Sequence, residues 1–505
     1  MYNISENITT VIVALITLGI LGWGYNRARP YGRVGILAWL QSVVLMAPWL
    51  LFFALFAAGI YLNLVFVLFL LVACAGLYIY LGRQLRTIAA KDAENQPNIK
   101  TIGDSSQLSS NQEEAQPTQD KIANAEPQKE QTPEFLPIPS EDLQKIKDIF
   151  GIDTFFTTET IPYQEGAIFK GNLRGDIEKV HTKLSVSLKE KLGDRYRLFL
   201  LESPEGKPVV IILPSKNDPQ PATTSQKILA VVLAIATIAT SLEAGGLLLG
   251  FDFFNEPARY PEALPIALGL CAVLGIHEFG HQVLAKRHNV RFSWPFFLPA
   301  WQIGSFGSVN RFESAIPNRK VLFDVAFAGP AAGGILSLAM LLVGLLLSHE
   351  GSMFQMPSEF FRASVLVATL ARVILGSAVN QNLVDVHPLA IIGWLGLVIT
   401  ALNLMPAGQL DGGRIIQAIY ARKVAGRATF FTFVVLVIAS LVNPLALYWA
   451  IIILVLQRNL ERPCLNELIE PDDLRATLCL LALFVAIATL FPLTPALASQ
   501  LGIGG

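Results

Sequence analysis

The chain has 505 residues, of which 53% are hydrophobic and 15% are charged, and its mean hydropathy is +0.50. This composition is too apolar for an ordinary soluble globule and predicts a polytopic membrane protein. The formal net charge of −1 provides no basic field for nucleic acid, so nucleic-acid binding is excluded from the expected functions.

The first 88 residues (1–88) are predicted to form transmembrane helices. Residues 9–25 are apolar and precede several arginines, which predicts a retained helix with its N-terminus outside. Residues 34–81 are too long for one crossing of a ~30 Å hydrocarbon core, so we expect a hairpin of two helices with a turn near 59–63. Residues 89–134 are rich in Gln, Asn, Ser, Glu and Lys, which predicts a disordered cytoplasmic linker.

Residues 135–220 return to a soluble pattern and predict a small α+β domain on the cytoplasmic side. The expected elements are a helix at 141–150 capped by Ser140, a strand within 155–169, a helix at 176–192, and a hairpin of strands at 196–201 and 208–213. Between the expected strand and helix lies Gly171-Asn172-Leu173-Arg174. From these residues alone we interpret the stretch as a turn with a solvated arginine.

Beyond this segment, residues 228–251 are predicted to cross the membrane outward and residues 265–285 to cross back. The second crossing ends in a basic cluster that includes Lys286 and Arg287, so the positive-inside rule directs it toward the cytoplasm. His288 lies past the apolar run and is interpreted as an interfacial side chain rather than a ligand.

The returning helix contains His277-Glu278-Phe279-Gly280-His281, an H-E-x-x-H motif. Histidines four residues apart share one face of a helix, where two neutral imidazoles bind one Zn²⁺ at about 2.0–2.1 Å. Glu278 is then placed to accept a proton from water. The alternative is a chance match with packed histidines, but unpaired polar groups cost several kcal/mol in a membrane and mark function there. We therefore predict a metal site.

The next segment, residues 292–310, is aromatic and is broken by prolines and glycines. Irregular backbone at membrane depth is tolerated only where protein or water covers it, so we expect a re-entrant loop or hairpin beside the metal. The alternative is an interfacial aromatic belt.

Two further crossings are expected at 321–347 and 389–404. The first contains Gly329-Pro330-Ala331-Ala332-Gly333-Gly334, small residues that let another helix approach closely. Asp324, in its first turn, is interpreted as a helix-dipole partner rather than a ligand. Residues 428–456 fit either one long crossing or two short helices, and the pattern leaves this choice open.

Between these segments, the stretch from Asn403 to Arg414 breaks the helix with proline and glycines at membrane depth and places Asp411 there. A zinc site with two histidines needs a third protein ligand and an open position. The antiparallel crossings bring Asp411 to the depth of His281, so we predict that it is this ligand. A capping or turn aspartate is the alternative.

Together these motifs resemble the site-2 protease family of intramembrane zinc metalloproteases. In that family an H-E-x-x-H helix, a G-P helix and an N-P-D-G or L-D-G motif build the active site, and all three occur here in this order. The resemblance implies zinc held by His277, His281 and Asp411. It also implies Glu278 as general base and acid, and Asn403 as a residue that helps to position substrate or oxyanion.

The resemblance is closest to the chloroplast and cyanobacterial branch, which carries a G-N-L-R motif before the zinc helix, as at Gly171 to Arg174 here. It covers about residues 135–493, with residues 221–505 as the membrane-embedded metalloprotease domain. Phe306-Gly307 resembles the membrane hairpin of the family. The implied location is a cyanobacterial plasma or thylakoid membrane, or a plastid membrane.

The expectation as a whole is a polytopic α-helical membrane protein of about eight or nine transmembrane helices with a small α+β cytoplasmic domain. The resemblance implies that it cleaves transmembrane segments of membrane proteins within the lipid bilayer. A catalytically silent chaperone or adaptor would lack a key residue, and an ion or solute transporter commonly has internal repeats, whereas neither motif recurs here. The sequence does not fix the oligomeric state.

Overall fold

The computed structural model describes residues 138–494 except 164, 204, 442 and 458, together with residue 498 and scattered positions between 22 and 44 and between 74 and 85. The chain divides into two compact units, residues 1–129 and 130–505.

In the first unit the described residues include a short apolar helix, α1, at Gly35–Val44. The predicted turn near 59–63 and the predicted linker over 89–134 lie outside the described residues. Most of the predicted helix at 9–25 and of the hairpin over 34–81 also lies outside them. These expectations therefore stay predictions.

The described residues of the second unit form mainly helices, with three small antiparallel sheets. Its helices are α2 (Ser140–Lys147), α3 (Ile177–Leu192), α4 (Thr224–Leu248), α5 (Tyr260–Arg287), α6 (Arg319–Leu347), α7 (Val365–Leu375), α8 (Pro388–Asn403), α9 (Asp411–Ala439), α10 (Pro444–Ile452) and α11 (Asp473–Leu490). Its strands are β1 (Phe155–Tyr163), β2 (Gly166–Leu173), β3 (Tyr196–Glu202), β4 (Pro208–Pro214), β5 (Phe296–Ala300), β6 (Gly304–Val309), β7 (Phe354–Pro357) and β8 (Leu383–Val386).

Four helices of the described part of the chain are long and apolar enough to span a membrane. They are Thr224–Leu248, Pro257–Arg287, Arg319–Leu347 and Asp473–Leu490. Helix α8 is shorter but is also apolar. The described residues are thus those of a mainly helical, polytopic membrane protein, as the composition predicts.

Strands β1 to β4 form one antiparallel sheet in the order β1-β2-β4-β3, with α2 and α3 packed against it around a shared apolar core. The strand expected within 155–169 is present as β1, and β2, which begins in the same range, forms a hairpin with it. The predicted cap is wrong: Ser140 is the first residue of α2 rather than its N-cap, which is Pro139. The motif Gly171 to Arg174 ends β2 and leads to Asp176, the N-cap of α3.

The edge strand β3 is covered by the α10–α11 connection (residues 459–472). The Leu200 N–H donates to the Leu465 carbonyl at 2.7 Å, and the Glu467 N–H donates to the Leu200 carbonyl at 3.0 Å. On its other side, the Leu465 N–H donates to the Ile316 carbonyl at 2.8 Å, just before α6. The connection is therefore hydrogen-bonded both to the four-stranded sheet and to the segment that precedes the N-terminus of α6.

Helix α6 packs against both α5 and α8 through small residues. A Cβ at Gly280 of α5 would lie 2.5 Å from the Ala328 carbonyl oxygen, and one at Gly396 of α8 would come as close to the Ser337 hydroxyl. Since real Cβ atoms do not approach other atoms so closely, these glycines set the helix spacing. Helices α5 and α8 also pack against each other, since a Cβ at Gly269 of α5 would lie 2.9 Å from the Ile392 side chain of α8.

Three findings concern the second half of the chain. The stretch between α6 and α8 contains α7 and the β7–β8 hairpin. For 428–456 the sequence left open one long crossing or two short helices, and the structure has two helices: α9 starts as early as Asp411, kinks at Ala421 and ends at Ala439, and α10 follows. Asp324 is not a dipole partner, since it lies in the second turn of α6 and pairs with Arg475 of α11 at 2.7 Å.

Candidate metal centre

The two histidines of α5 point toward α6, where glycines leave room for them. A Cβ at Gly333 would lie 3.0 Å from the His277 Cβ, and one at Gly329 would overlap the His281 ring. The two Nε2 atoms lie 3.2 Å apart and both side chains are buried. The Gly-Pro helix thus provides the wall against which the H-E-x-x-H face is packed.

Asp411 reaches the same point from the start of α9. Its Oδ2 lies 3.1 Å from the His277 Nε2 and 3.3 Å from the His281 Nε2. Three donor atoms therefore converge with mutual separations of 3.1–3.3 Å. Ligand atoms at about 2.1 Å from a tetrahedral ion are about 3.4 Å apart, so the donor set fits zinc in spacing as well as in chemistry.

A backbone contact fixes the orientation of His281. Its Nδ1 lies 2.7 Å from the Val325 carbonyl oxygen, which accepts a hydrogen bond from that nitrogen. The Nε2 is then left unprotonated in the neutral ring, and a free lone pair there is what a metal ligand requires.

Glu278 also belongs to the buried cluster, with a carboxylate oxygen within 4.8 Å of the ligand atoms of His277 and His281. Its two oxygens face β6: one accepts a short hydrogen bond from the Ser308 hydroxyl and the other accepts from the Asn310 Nδ2 at 2.8 Å. Because these contacts direct Glu278 toward the hairpin while Asp411 faces both imidazoles, the geometry favours Asp411 as the third ligand and leaves Glu278 beside it.

The segment predicted as a re-entrant loop or hairpin contains the β5–β6 hairpin. Asn403 is buried beneath it, and its Nδ2 donates to the Phe306 carbonyl at 3.3 Å and to the Ile399 carbonyl at 2.8 Å. A Cβ at Gly307 would overlap the Asn403 side chain. Asn403 therefore contacts the hairpin backbone rather than the three converging donor atoms.

Sequence reasoning missed two pairs of residues at this site. Ser308 and Asn310 had a usable signal, since residues two apart in an extended segment lie on the same side and can meet one carboxylate. Arg414 closes the Asp411 motif, and its Nη1 lies 3.9 Å from the Asp411 Oδ1. Its partner Glu461, at 2.9 Å, is 47 positions further along the chain and carries no local signal.

His288 lies outside the cluster. Its Nε2 is 3.2 Å from the Asp324 Oδ2, so it takes part in the contact between the end of α5 and α6. This position agrees with its interpretation as a side chain other than a metal ligand.

Two histidines and an aspartate converge beside a glutamate, and all four side chains are buried among apolar helices. This arrangement is typical of a membrane-embedded metallopeptidase. Residues 265–442 match the peptidase family M50, and residues 144–221 match the EGY3 middle domain. The chain belongs to peptidase family M50, in the group of the EGY proteins.

Curated relatives cover most of the chain. It is 37% identical over 401 residues to the "Probable zinc metalloprotease EGY1, chloroplastic" of Arabidopsis thaliana, and the aligned region covers 72% of this chain and 73% of the relative. It is 35% identical over 424 residues to the corresponding EGY2 of Oryza sativa subsp. indica, with 81% and 78% covered. An EGY3 from the same rice subspecies is 32% identical over 382 residues, with 70% and 64% covered. No solved structure matches the chain.

These findings confirm the resemblance to the site-2 protease family and its chloroplast branch. They favour the metalloprotease interpretation over a transporter or a silent adaptor. The individual site residues remain predictions that the geometry supports.

Proposed function

We propose that this protein is a zinc-dependent endopeptidase that hydrolyses peptide bonds within or near transmembrane segments of membrane proteins, as in regulated intramembrane proteolysis. In this proposal His277, His281 and Asp411 hold the metal and Glu278 is the catalytic base and acid. The observation that carries it is the convergence of three buried donor atoms at 3.1–3.3 Å beside a glutamate that a membrane hairpin holds.

The donor set supports the predicted Zn²⁺ cofactor. Two imidazole nitrogens and one carboxylate oxygen would hold Zn²⁺ and leave it able to bind water or substrate, as catalytic rather than structural zinc does. When bound, zinc supplies Lewis-acid chemistry that polarises a carbonyl group and makes water more acidic. The protein keeps His281 in the required tautomer through the Val325 carbonyl.

Glu278 moves the protons. Its carboxylate accepts a proton from the attacking water and delivers it to the nitrogen of the leaving peptide. The contacts of Ser308 and Asn310 hold both oxygens, so that little reorganisation is needed when the proton arrives. A hydroxyl donor is suited to this task, because it rotates away once Glu278 is protonated.

The substrate must be unwound before it is cleaved. A transmembrane helix has its peptide groups hydrogen-bonded internally and presents no free carbonyl to the site. We propose that the β5–β6 hairpin holds the cleaved stretch extended, since strands bind peptides through main-chain hydrogen bonds. Asn403 supports this role by fixing the Phe306 backbone within the hairpin.

The proposal includes a membrane topology. The protein has about eight or nine transmembrane helices, and the α+β domain at 135–220, which follows the linker, lies on the cytoplasmic side. The substrates are membrane proteins with a transmembrane helix, met within the lipid bilayer. The chloroplastic relatives support a plastid membrane, and a cyanobacterial plasma or thylakoid membrane fits the same family branch.

The test is cleavage of single-span membrane proteins by the purified protein in detergent or liposomes. Cleavage should stop on addition of a chelator and return on addition of zinc, and the Glu278→Gln variant should be inactive under all conditions. Cleavage that persists in protein shown to be free of metal would overturn the proposal.

A further inference from the structure

A buried ion pair borders the metal centre on the side of α9. The Arg414 Nε donates to the Glu461 Oε2 at 2.9 Å, and their side chains are 1% and 6% exposed. Glu461 belongs to the α10–α11 connection and lies outside the matched family region, residues 265–442. The metal-site motifs therefore do not assign it a role.

Arg414 stands between Glu461 and Asp411. Its Nη1 is 3.9 Å from the Asp411 Oδ1, whereas the Asp411 Oδ2 faces both histidines at 3.1 and 3.3 Å. A charge-assisted hydrogen bond between guanidinium and carboxylate is about 2.7–2.9 Å long. Arg414 is therefore held about 1 Å outside direct hydrogen bonding with the carboxylate that faces the metal position.

Several groups keep Arg414 at this distance. Besides Glu461, the Asn310 carbonyl accepts from its Nη2, and the rings of Phe292 and Phe312 lie 5.7 and 5.2 Å from its guanidinium carbon. Of these, only Glu461 carries a compensating charge. Loss of that charge would leave a buried arginine whose nearest remaining anion is Asp411.

Glu461 is itself rigidly placed. Its carbonyl accepts from the Gln417 side chain at 3.1 Å and from Arg422, both on α9. Its Oε1 accepts from the Arg462 N–H at 3.1 Å. A carboxylate fixed in this way can hold its partner in one position, which a mobile surface charge would not do.

We propose that Glu461 is a positioning residue of the metal centre: it holds Arg414 away from Asp411, so that the Asp411 carboxylate remains directed at the two histidines. This inference rests on the proposed function, since it takes Asp411 as a metal ligand. It adds a residue of the connection that also hydrogen-bonds the four-stranded sheet.

The competing explanation is that the Arg414–Glu461 pair only stabilises the fold. The two explanations differ in the readout that changes. Under the proposal, Glu461→Gln frees Arg414 to compete with the metal for Asp411, and a second change, Arg414→Gln, removes that competitor and restores metal binding. Under a purely structural role, Glu461→Gln lowers stability while metal release and the cobalt spectrum stay those of the wild type, and the second change acts on stability alone.

The experiment measures metal release to a chelator from the full-length protein loaded with zinc, and the absorption spectrum after substitution with Co²⁺. Changes in groups that orient metal ligands typically cost about 10–100-fold in metal affinity. Glu461→Gln should accelerate zinc release by about 10-fold or more and alter the cobalt spectrum. The double variant should return both readouts toward those of the wild type.

A matched control breaks another arginine–carboxylate pair away from the metal. Arg475→Gln removes the 2.7 Å contact with Asp324 and should lower stability without changing metal release or the cobalt spectrum. If Glu461→Gln fails to fold, Glu461→Asp keeps the charge with a shorter reach and should show a smaller acceleration.

The outcomes separate this inference from the proposed function. A wild-type protein that binds no metal overturns both. A wild-type protein that binds metal and cleaves substrate, with release unchanged in Glu461→Gln, overturns only the role of Glu461. The same holds if the double variant releases zinc as fast as the single one.

Discussion

The side chain of Glu278 is hydrogen-bonded to the hairpin segment, whereas the two histidines beside it supply two of the three converging donor atoms. Glu278→Gln keeps the shape and the ability to contact Ser308 and Asn310 but cannot accept a proton. We expect normal folding and metal content with at least about a 10²-fold loss of cleavage, the usual contribution of a general base. Metal analysis and a cleavage assay on the same preparation test this, and substantial retained turnover would remove Glu278 from the mechanism.

Asp411 and Asp324 provide a comparison between two carboxylates in the same membrane domain. Asp411 faces both histidines, while Asp324 is bound to Arg475 and His288. We expect Asp411→Asn to weaken zinc binding and eliminate cleavage, because a neutral amide is a poor ligand for zinc. Asp324→Asn should keep the metal and lower mainly stability. Metal loss in the second variant but not in the first would show that the ligand assignment is wrong.

At the residue scale the sequence predicted what lies within one motif and missed what meets it from elsewhere. The spacing of His277 and His281 and the broken backbone at Asp411 were sufficient to expect a metal site. The contact of Glu461 with Arg414 depends on how a distant loop folds back onto α9, and no periodicity or spacing encodes that. Ser308 and Asn310 lie between these cases, since their alternation was visible but their target was not.

At the element scale, two glycines of α6 differ in their surroundings. A Cβ at Gly329 would overlap the His281 ring, whereas one at Gly334 would meet only the Thr400 methyl group at 3.4 Å, an ordinary contact. We therefore expect Gly329→Ala to displace His281 and reduce bound zinc, and Gly334→Ala to leave it unchanged. Metal content of the two purified variants is the measurement.

The Gly334→Ala control carries the same intrinsic helix preference, a gain of about 1 kcal/mol over glycine. A difference between the two variants therefore reports the space at His281 rather than helix propensity. Equal zinc content in both would mean that α6 can shift to admit the extra methyl group.

Helices with strong apolar character were predictable, and the exceptions have a physical cause. Ala421 has a positive φ of 63°, which is rare for alanine. Nothing in the surrounding sequence predicts this conformation. The carbonyls just before this kink are bound from another element, since the Arg319 Nε and Nη2 donate to Ala418 and Ile419 at 2.7 and 2.6 Å. A helix break stabilised from outside the helix cannot be read from local propensity.

At the scale of the whole unit, the α10–α11 connection joins parts that the sequence treats as separate. It pairs with β3 at Leu200, with the segment before α6 at Ile316, and through Glu461 with the border of the metal centre. The predicted domain boundaries at 135–220 and 221–505 follow composition, which does not reveal such contacts. The contacts between the sheet and the membrane helices are therefore visible only in the folded structure.

His181 of α3 lies where the sheet meets this connection, and it gives the contact a pH dependence. Burial lowers the pKa of His181 below its ordinary value of 6.5, and the nearby backbone of Leu198 and Leu465 offsets this only in part. In the folded protein the ring therefore stays neutral at a pH where the unfolded chain has already bound a proton. Stability is present in full above the unfolded value and is lost as the pH falls through the lower, folded value.

We accordingly expect the unfolding temperature of the wild type to fall more steeply than that of His181→Gln when the pH is lowered from about 7.5 to about 5. The glutamine has no charge to gain, so it removes the proton linkage while it keeps a polar side chain at the position. Thermal unfolding of both proteins across this range, at constant ionic strength, is the measurement. Parallel pH profiles would mean that His181 does not titrate on unfolding, and that its neighbours rather than its ring set the acid sensitivity of the junction between the sheet and the connection.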